Sequence, residues 1–306
     1  MTSRLPDFVI IGAQKAATTF VQASLREHPQ VWLATGEDPF FHDPHYDRGS
    51  LDRFARPYAR RHELRMGIKC PDYLGRPEVP ARLVGDLSSP DLIVCLRNPV
   101  QRALSAYYWL MRWGMVPIEP AEPGLRKILD GGYGERGDVV APILAYGRYH
   151  EHLSRYLEHF PREKLLVVLD EDLRLDPDTS MRRVHRFLGL DPDIAPSSMP
   201  AKVNAGIYSP DRLRFLHLRN RFMVCWDESR TIASVPKPIN PLTRLYCNMI
   251  AAVDRYVLAR VYGNAKPTLS AELASRLYDH YRDDVARLEE LIGRDLSAWR
   301  PACVSR

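Results

Sequence analysis

With 306 residues, 45% of them hydrophobic and 26% charged, the chain is long enough for one large α/β domain and has the composition of an ordinary globular protein. A net charge of +5 suits an anionic ligand or surface, while the lack of basic runs and of zinc-finger spacing argues against a nucleic-acid reader. Five cysteines without a C-x-x-C pair read as reduced thiols, no window is long and apolar enough for a bilayer span, and the opening residues resemble neither signal peptide nor anchor, so the expected location is cytoplasmic.

Phe8-Val9-Ile10-Ile11, bounded by Pro6-Asp7 and Gly12, predicts a buried strand. A loop follows to Thr19, and Thr18 or Thr19 opens a helix to about His28. A weaker strand is expected over Met66–Lys69, a helix over Glu78–Leu87 and a strong strand over Asp91–Leu96. Pro99 starts a helix through Trp113. Val116–Asp138, rich in Pro and Gly, reads as a long loop or lid. A helix over Ala141–Phe160, a strand over Lys164–Leu169 and a helix over Asp176–Leu188 follow. The alternation implies a mainly parallel sheet flanked by helices, carried by residues 1–199 of a single domain spanning 1–306. Residues 200–268 break the alternation, and 269–300 close it with a helix. Within 211–262 apolar residues mix with many arginines, so this stretch is either a packed helical cap or a surface for peripheral membrane contact or a lipid-like acceptor.

Two loops carry chemistry. Gly12-Ala13-Gln14-Lys15-Ala16-Ala17-Thr18-Thr19 stands between a strand and a helix. There, backbone N–H groups and the positive helix end attract an anion, small residues let it approach, Lys15 adds charge and the threonines add donors. An ordinary turn with a solvated lysine is the plainer alternative. A Walker loop is excluded, because Lys15 precedes Thr18 by three residues instead of one. In the second stretch, Arg97 closes a strand and Ser105 lies two turns into the next helix. A guanidinium and a hydroxyl suit a phosphate monoester, and a helix-capping arginine beside a surface serine is the alternative.

The first loop resembles the 5′-phosphosulfate loop of sulfotransferases that use 3′-phosphoadenylyl sulfate (PAPS), Gly-x-x-Lys-small-small-Thr-Thr/Ser, with Ala17 where that family often has glycine. The second resembles the family's Leu-Arg-x-Pro-x-x-Arg-Ala-x-Ser-x-Tyr at Leu96, Arg97, Pro99, Arg102, Ala103, Ser105 and Tyr107. The resemblance implies a P-loop-kinase-like α/β sheet with a helical cap. It places Gly12, Gln14, Lys15, Ala16, Ala17, Thr18 and Thr19 on the 5′-phosphosulfate of PAPS, and Arg97 and Ser105 on its 3′-phosphate.

The carbohydrate-modifying branch has Lys-Glu-x-x-Phe-Phe where this chain has Gly36-Glu37-Asp38-Pro39-Phe40-Phe41. Glu37 is then the expected general base, its proton affinity raised by desolvation beside apolar rings, with Asp38, His42 and Asp43 as rivals. Lys69, in Lys69-Cys70-Pro71-Asp72-Tyr73, matches Lys-x-Pro-x-Tyr and is implied to touch the migrating sulfonate or the acceptor. Lys15 is implied to neutralise the leaving phosphate of the product PAP. Phe40, Phe41, Tyr73, Trp109 and Trp113 are expected to line the acceptor, with core packing the alternative for the two tryptophans, and Lys202 to replace in part a Lys-Gly-Arg clamp. The acceptor expected is a hydroxyl on a glycan, glycolipid, lipid or natural product. The migrating group is a monoanion, so positive side chains suffice and no metal is expected; His42 and His45 read as a polar loop. A phosphotransferase, or a PAPS-binding protein without catalysis, are the alternatives. Oligomeric state is not legible.

Overall fold

The computed structural model describes residues 4–134, 137–194, 206–225, 235–236 and 240–301. The chain divides into two compact units that interleave in sequence. The first comprises Met1–Asn98, Arg148–Asn204 and Asp283–Leu296; the second comprises Pro99–Gly147, Ala205–Arg282 and Ser297–Arg306.

The first unit is built on a five-stranded, wholly parallel sheet. Its strands are β1 (Phe8–Gly12), β2 (Val31–Leu33), β3 (Arg65–Lys69), β4 (Asp91–Leu96) and β5 (Leu165–Leu169), in the spatial order β2-β3-β1-β4-β5. β1, β4 and β5 are buried along their whole length, which explains their unbroken apolar runs: a strand covered on both faces has no polar side to alternate with. The crossovers include α1 (Thr18–Arg26), the short α2 (Leu51–Ala55) and α3 (Val79–Asp86).

The edge strand β2 was not expected from sequence, being only Val31-Trp32-Leu33. The strand starts are tied by charge. Arg65 at the head of β3 donates to Asp7 at 2.6 Å and to Asp91 at 2.5 Å, and Lys164 reaches Asp91 at 2.9 Å. This network lies at the opposite edge of the sheet from Gly12 and Lys69, so register is fixed at one edge and the other is left for chemistry.

The second unit is mostly helical. It opens with α4 (Pro99–Trp113), then α5 (Ala121–Leu129) and α6 (Gly137–Ala145). The stretch expected as a lid loop thus contains a helix. Pro120 precedes it and Pro123 sits in its first turn, where an amide donor has no helical partner to lose. Gly124 is there for contact: a Cβ would lie 1.8 Å from the Tyr107 hydroxyl.

The helix expected over Ala141–Phe160 is instead two, α6 and α7 (Tyr149–Leu157), which belong to different units. They part at Gly147, where a Cβ would lie 2.7 Å from the Tyr281 ring. In the first unit α8 (Asp170–Leu175) and α9 (Pro177–Phe187) follow β5.

The segment after residue 205 forms α10 (Pro210–Met223), a two-residue ladder of β6 (Val224–Cys225) and β7 (Val235–Pro236), α11 (Pro241–Val253), a π-helical stretch Asp254–Leu258 and α12 (Ala259–Val261). Side chains of α10 satisfy the end of α4: Asn220 donates to the Arg112 carbonyl at 2.6 Å, and His217 Nε2 lies 2.6 Å from the Met111 carbonyl. The closing helix α13 runs Ala271–Ile292.

Candidate active site

The carboxyl ends of β1, β3 and β4 converge at one edge of the first unit, where ligands of open parallel sheets bind. From β1 the chain enters the Gly12–Thr19 loop. Ala13 N–H donates to the Cys95 carbonyl at 2.7 Å, which ties the loop to β4. Lys15 and Ala17 take left-handed backbone conformations, with φ of 68° and 65°. Ala17 is the residue before α1 and caps it with no side chain. The first turn of α1 thus has no side-chain cap, the alternation of handedness at Lys15 and Ala17 is that of an anion-binding nest, and Ala16 N–H is taken by the Ala13 carbonyl at 3.2 Å. This backbone fits a phosphate or sulfate group, and the pattern Gly12, Gln14, Lys15, Ala16, Ala17, Thr18 and Thr19 supplies the small residues, charge and hydroxyls around it. Gln14 is fixed by donating to Asp72 Oδ1 at 3.0 Å.

Lys69, the last residue of β3, is buried, yet its ammonium is 3.1 Å from Glu37 Oε1 and 3.4 Å from Thr19 Oγ1. A strand end, the nucleotide-type loop and the Glu37 loop meet at this one cation. Glu37 itself is 55% exposed. The expected setting, a carboxylate desolvated beside aromatic rings, is not what the structure has: Glu37 faces solvent and is paired with a lysine.

Phe41 is fully buried and packs against Phe54 and Tyr73, while Phe40 stacks on Phe54 at 4.6 Å. Tyr73 is also fully buried; its hydroxyl donates to the Asp38 carbonyl at 2.6 Å and accepts from Phe41 N–H at 3.2 Å. Phe41 and Tyr73 therefore shape the loop that presents Glu37, and the expectation that they touch the acceptor is corrected.

Among the rival bases, burial holds the Asp38 carboxyl above the usual carboxylate range, but its Oδ1 is engaged by Phe40 N–H at 3.0 Å. Burial pulls the His42 imidazole below its ordinary value. A ligand-type cluster that sequence spacing missed joins His42, Cys70 and Asp72, whose donor atoms lie within 4.8 Å of one another. Burial pushes the Cys70 thiol well up.

Arg97 follows β4. Its Nε is 3.3 Å from Asp170 Oδ2, its Nη1 donates to the Lys15 carbonyl at 3.3 Å, and Tyr149 donates to its carbonyl at 2.8 Å. Arg174 also binds Asp170 Oδ2, at 2.9 Å. Asp170 escaped sequence reading, although its position signalled it: it is the first residue after β5, at the same sheet edge. Ser105 is buried on α4 in the second unit. Trp109 and Trp113, also on α4, are half-buried and meet edge to face at 6.3 Å, and the guanidinium of Arg219 from α10 lies 5.8 Å from the Trp113 ring. Lys202 lies outside the described residues.

The model of the sulfotransferase domain family matches residues 5–202. Mus musculus heparan sulfate glucosamine 3-O-sulfotransferase 3B1 is 27% identical over 299 residues, which is 96% of this chain and 65% of that protein. The chain thus spans less than two thirds of that curated relative's length. A solved sulfotransferase from Alicyclobacillus acidocaldarius has the same fold, with a TM-score of 0.65 at 23% identity over 97% of this chain and 99% of that one.

The expected cytoplasmic location is overturned by a further relative. It is named membrane-associated sulfotransferase kil1, from Dictyostelium discoideum, and is 29% identical over 164 residues, 52% of this chain and 33% of its own length. The expectation rested on the lack of a long apolar segment. No helix of the described residues is long and apolar enough to cross a membrane, but that fact does not report a compartment. The matched family model, the parallel sheet and the anion loop at its carboxyl edge lead to one conclusion: this chain belongs to the sulfotransferase family.

Proposed function

We propose that the protein moves a sulfonate group from PAPS to an acceptor hydroxyl by in-line displacement at sulfur. The observation that carries the reading is the position of Lys69, buried between Thr19 of the anion loop and Glu37. The loop from Gly12 to Thr19 takes the 5′-phosphosulfate. Arg97, held beside the Lys15 carbonyl, takes the 3′-phosphate; Ser105 enters this reading through the sequence motif alone.

In the transfer, the acceptor oxygen forms a bond to sulfur as the bond from sulfur to the phosphate oxygen breaks. Glu37 accepts the proton that the hydroxyl loses. Lys15 stabilises the charge growing on the leaving phosphate and Lys69 that on the sulfonate oxygens. Exposure of Glu37 leaves its free oxygen open to an incoming hydroxyl, and the Lys69 pair fixes its orientation. The name of the mouse relative supports a glycan hydroxyl as acceptor.

Calorimetric binding of PAP, compared with AMP and with ATP plus magnesium, tests this. The native protein prefers PAP, and Arg97→Ala abolishes the preference, with a loss of roughly tenfold to a hundredfold for a charged hydrogen bond. Tighter binding of ATP with magnesium would replace this reading with phosphoryl transfer.

A further inference from the structure

The helix from Pro241 to Val261 has two sides of opposite character. One is anchored: Cys247, Ile250 and Asp254 are buried, and Arg212 of α10 grips the Asp254 carboxylate through Nε at 2.8 Å and Nη2 at 3.0 Å. The other carries an apolar stripe in the open. Leu242, Leu245, Tyr246 and Met249 recur at helical spacing, continued by Tyr256 and Val257, and Leu242 and Leu245 are 79% and 67% exposed. Large aliphatic groups at such exposure, aligned over several turns, exceed the scattered apolar residues of an ordinary surface.

The charges of this helix decide what covers the stripe. Every exposed charged side chain between Asn240 and Tyr262 is an arginine: Arg244, Arg255 and Arg260. The one acid in that stretch, Asp254, is buried and already paired. A second copy meeting this face about a two-fold axis would bring like charges together. An anionic bilayer supplies both an apolar layer and compensating charge, and Tyr246 and Tyr256 carry the amphipathic rings that favour the headgroup level.

We infer that this face seats the protein on anionic membrane surfaces, with the helix lying in the plane of the interface. The stripe enters the acyl boundary, and the arginines meet lipid phosphates and carboxylates. This placement is independent of the transfer chemistry.

The test is cosedimentation of the full chain with vesicles of phosphatidylcholine alone and with vesicles in which about a quarter of the lipid is phosphatidylserine. The native protein binds the second far more strongly, and added salt weakens the binding. A variant with Arg244→Gln, Arg255→Gln and Arg260→Gln partitions roughly a hundredfold less, at about fivefold per arginine. A variant with Leu242→Asn, Leu245→Asn and Met249→Asn loses binding to both vesicles while keeping its melting temperature, since these side chains are exposed. The inference is overturned if the native protein ignores the anionic vesicles or if both variants bind as it does. It is equally overturned if light scattering shows a dimer that the apolar variant dissolves, which would assign the face to a second copy.

Discussion

The ammonium of Lys69 and the carboxylate of Glu37 lie 3.1 Å apart, with the lysine 3% exposed and the glutamate 55%. A buried ammonium needs a compensating charge, and Glu37 is the carboxylate that the structure places there. The pair keeps a cation stable at the strand edge, and the function proposed above adds a second role for Glu37, taking a proton from an acceptor.

Glu37→Gln separates these two roles. A general base contributes about a hundredfold to ten-thousandfold in rate, and the proposed function gives Glu37 that role. The expected outcome is a fall of that size in kcat for sulfonate transfer, with PAP affinity changed less than about threefold, because the anion loop is untouched. Measurement of transfer with labelled donor, beside calorimetry with PAP, checks it. A variant that loses stability but keeps kcat would reduce Glu37 to the structural partner of Lys69.

Arg97→Lys keeps the charge after β4 but not the planar fork. The native guanidinium spans the Asp170 carboxylate and the Lys15 carbonyl at once, which a single ammonium cannot do. PAP binding is expected to weaken by about tenfold while AMP binding holds, a difference that calorimetry resolves.

Ala17→Gly probes the loop backbone. Ala17 has φ of 65°, a left-handed conformation that costs an L-residue about 1–2 kcal/mol and glycine almost nothing. Glycine also loosens the unfolded chain, which offsets part of the gain. The net expectation is a stabilisation of up to about 1 kcal/mol in denaturant unfolding. Gly12→Ala has the opposite sign. Its Cβ would lie 2.7 Å from Leu74 Cβ and 2.9 Å from the Pro71 carbonyl, at a φ of 155°, and the loss should be about 2 kcal/mol or more.

His185 sets an acid limit. Burial, and then the neighbouring His28, pull its imidazole down to about 4. Its ring meets that of His28 edge to face at 4.9 Å, and neither ring nitrogen has a hydrogen-bond partner among the described residues. The unfolded chain takes up this proton first, near pH 6.5. The stability that the neutral ring allows is therefore complete above pH 6.5 and is lost as pH falls toward 4, by about 2 kcal/mol at pH 5. Denaturant unfolding across that window should show a shallower decline for His185→Leu than for the native chain. Parallel curves would remove His185 from the acid response.

The parts of this fold that were legible were the doubly covered strands and the residues whose spacing has a chemical meaning. Phe8–Gly12 and the run from Leu92 to Leu96 announce themselves because burial on both faces favours apolar residues. Lys15 and Lys69 were found by motif, and the structure puts both at the sheet edge. What sequence could not supply was the side on which an aromatic ring is spent. Phe40 and Phe41 are adjacent and alike, yet Phe41 is wholly buried, and only the packing of Phe54 and Tyr73 around it decides that. Pro and Gly misled at Ala121–Leu129, where one sits in a first turn and the other answers the Tyr107 hydroxyl. Asp170 bears no motif; its partner Arg97 lies far off in sequence, and such pairings form only once the chain has folded.

The doubly engaged hydroxyl of Tyr73 has a consequence for how the surroundings of the pair can vary. Its bonds to the Asp38 carbonyl and the Phe41 amide, with Asp38 N–H on the Lys69 carbonyl at 3.0 Å, rivet the loop that carries Glu37 to the strand that carries Lys69. Carboxylate and cation then travel as one piece. Natural or laboratory selection can redraw the flanking residues without retuning the distance between Glu37 and Lys69.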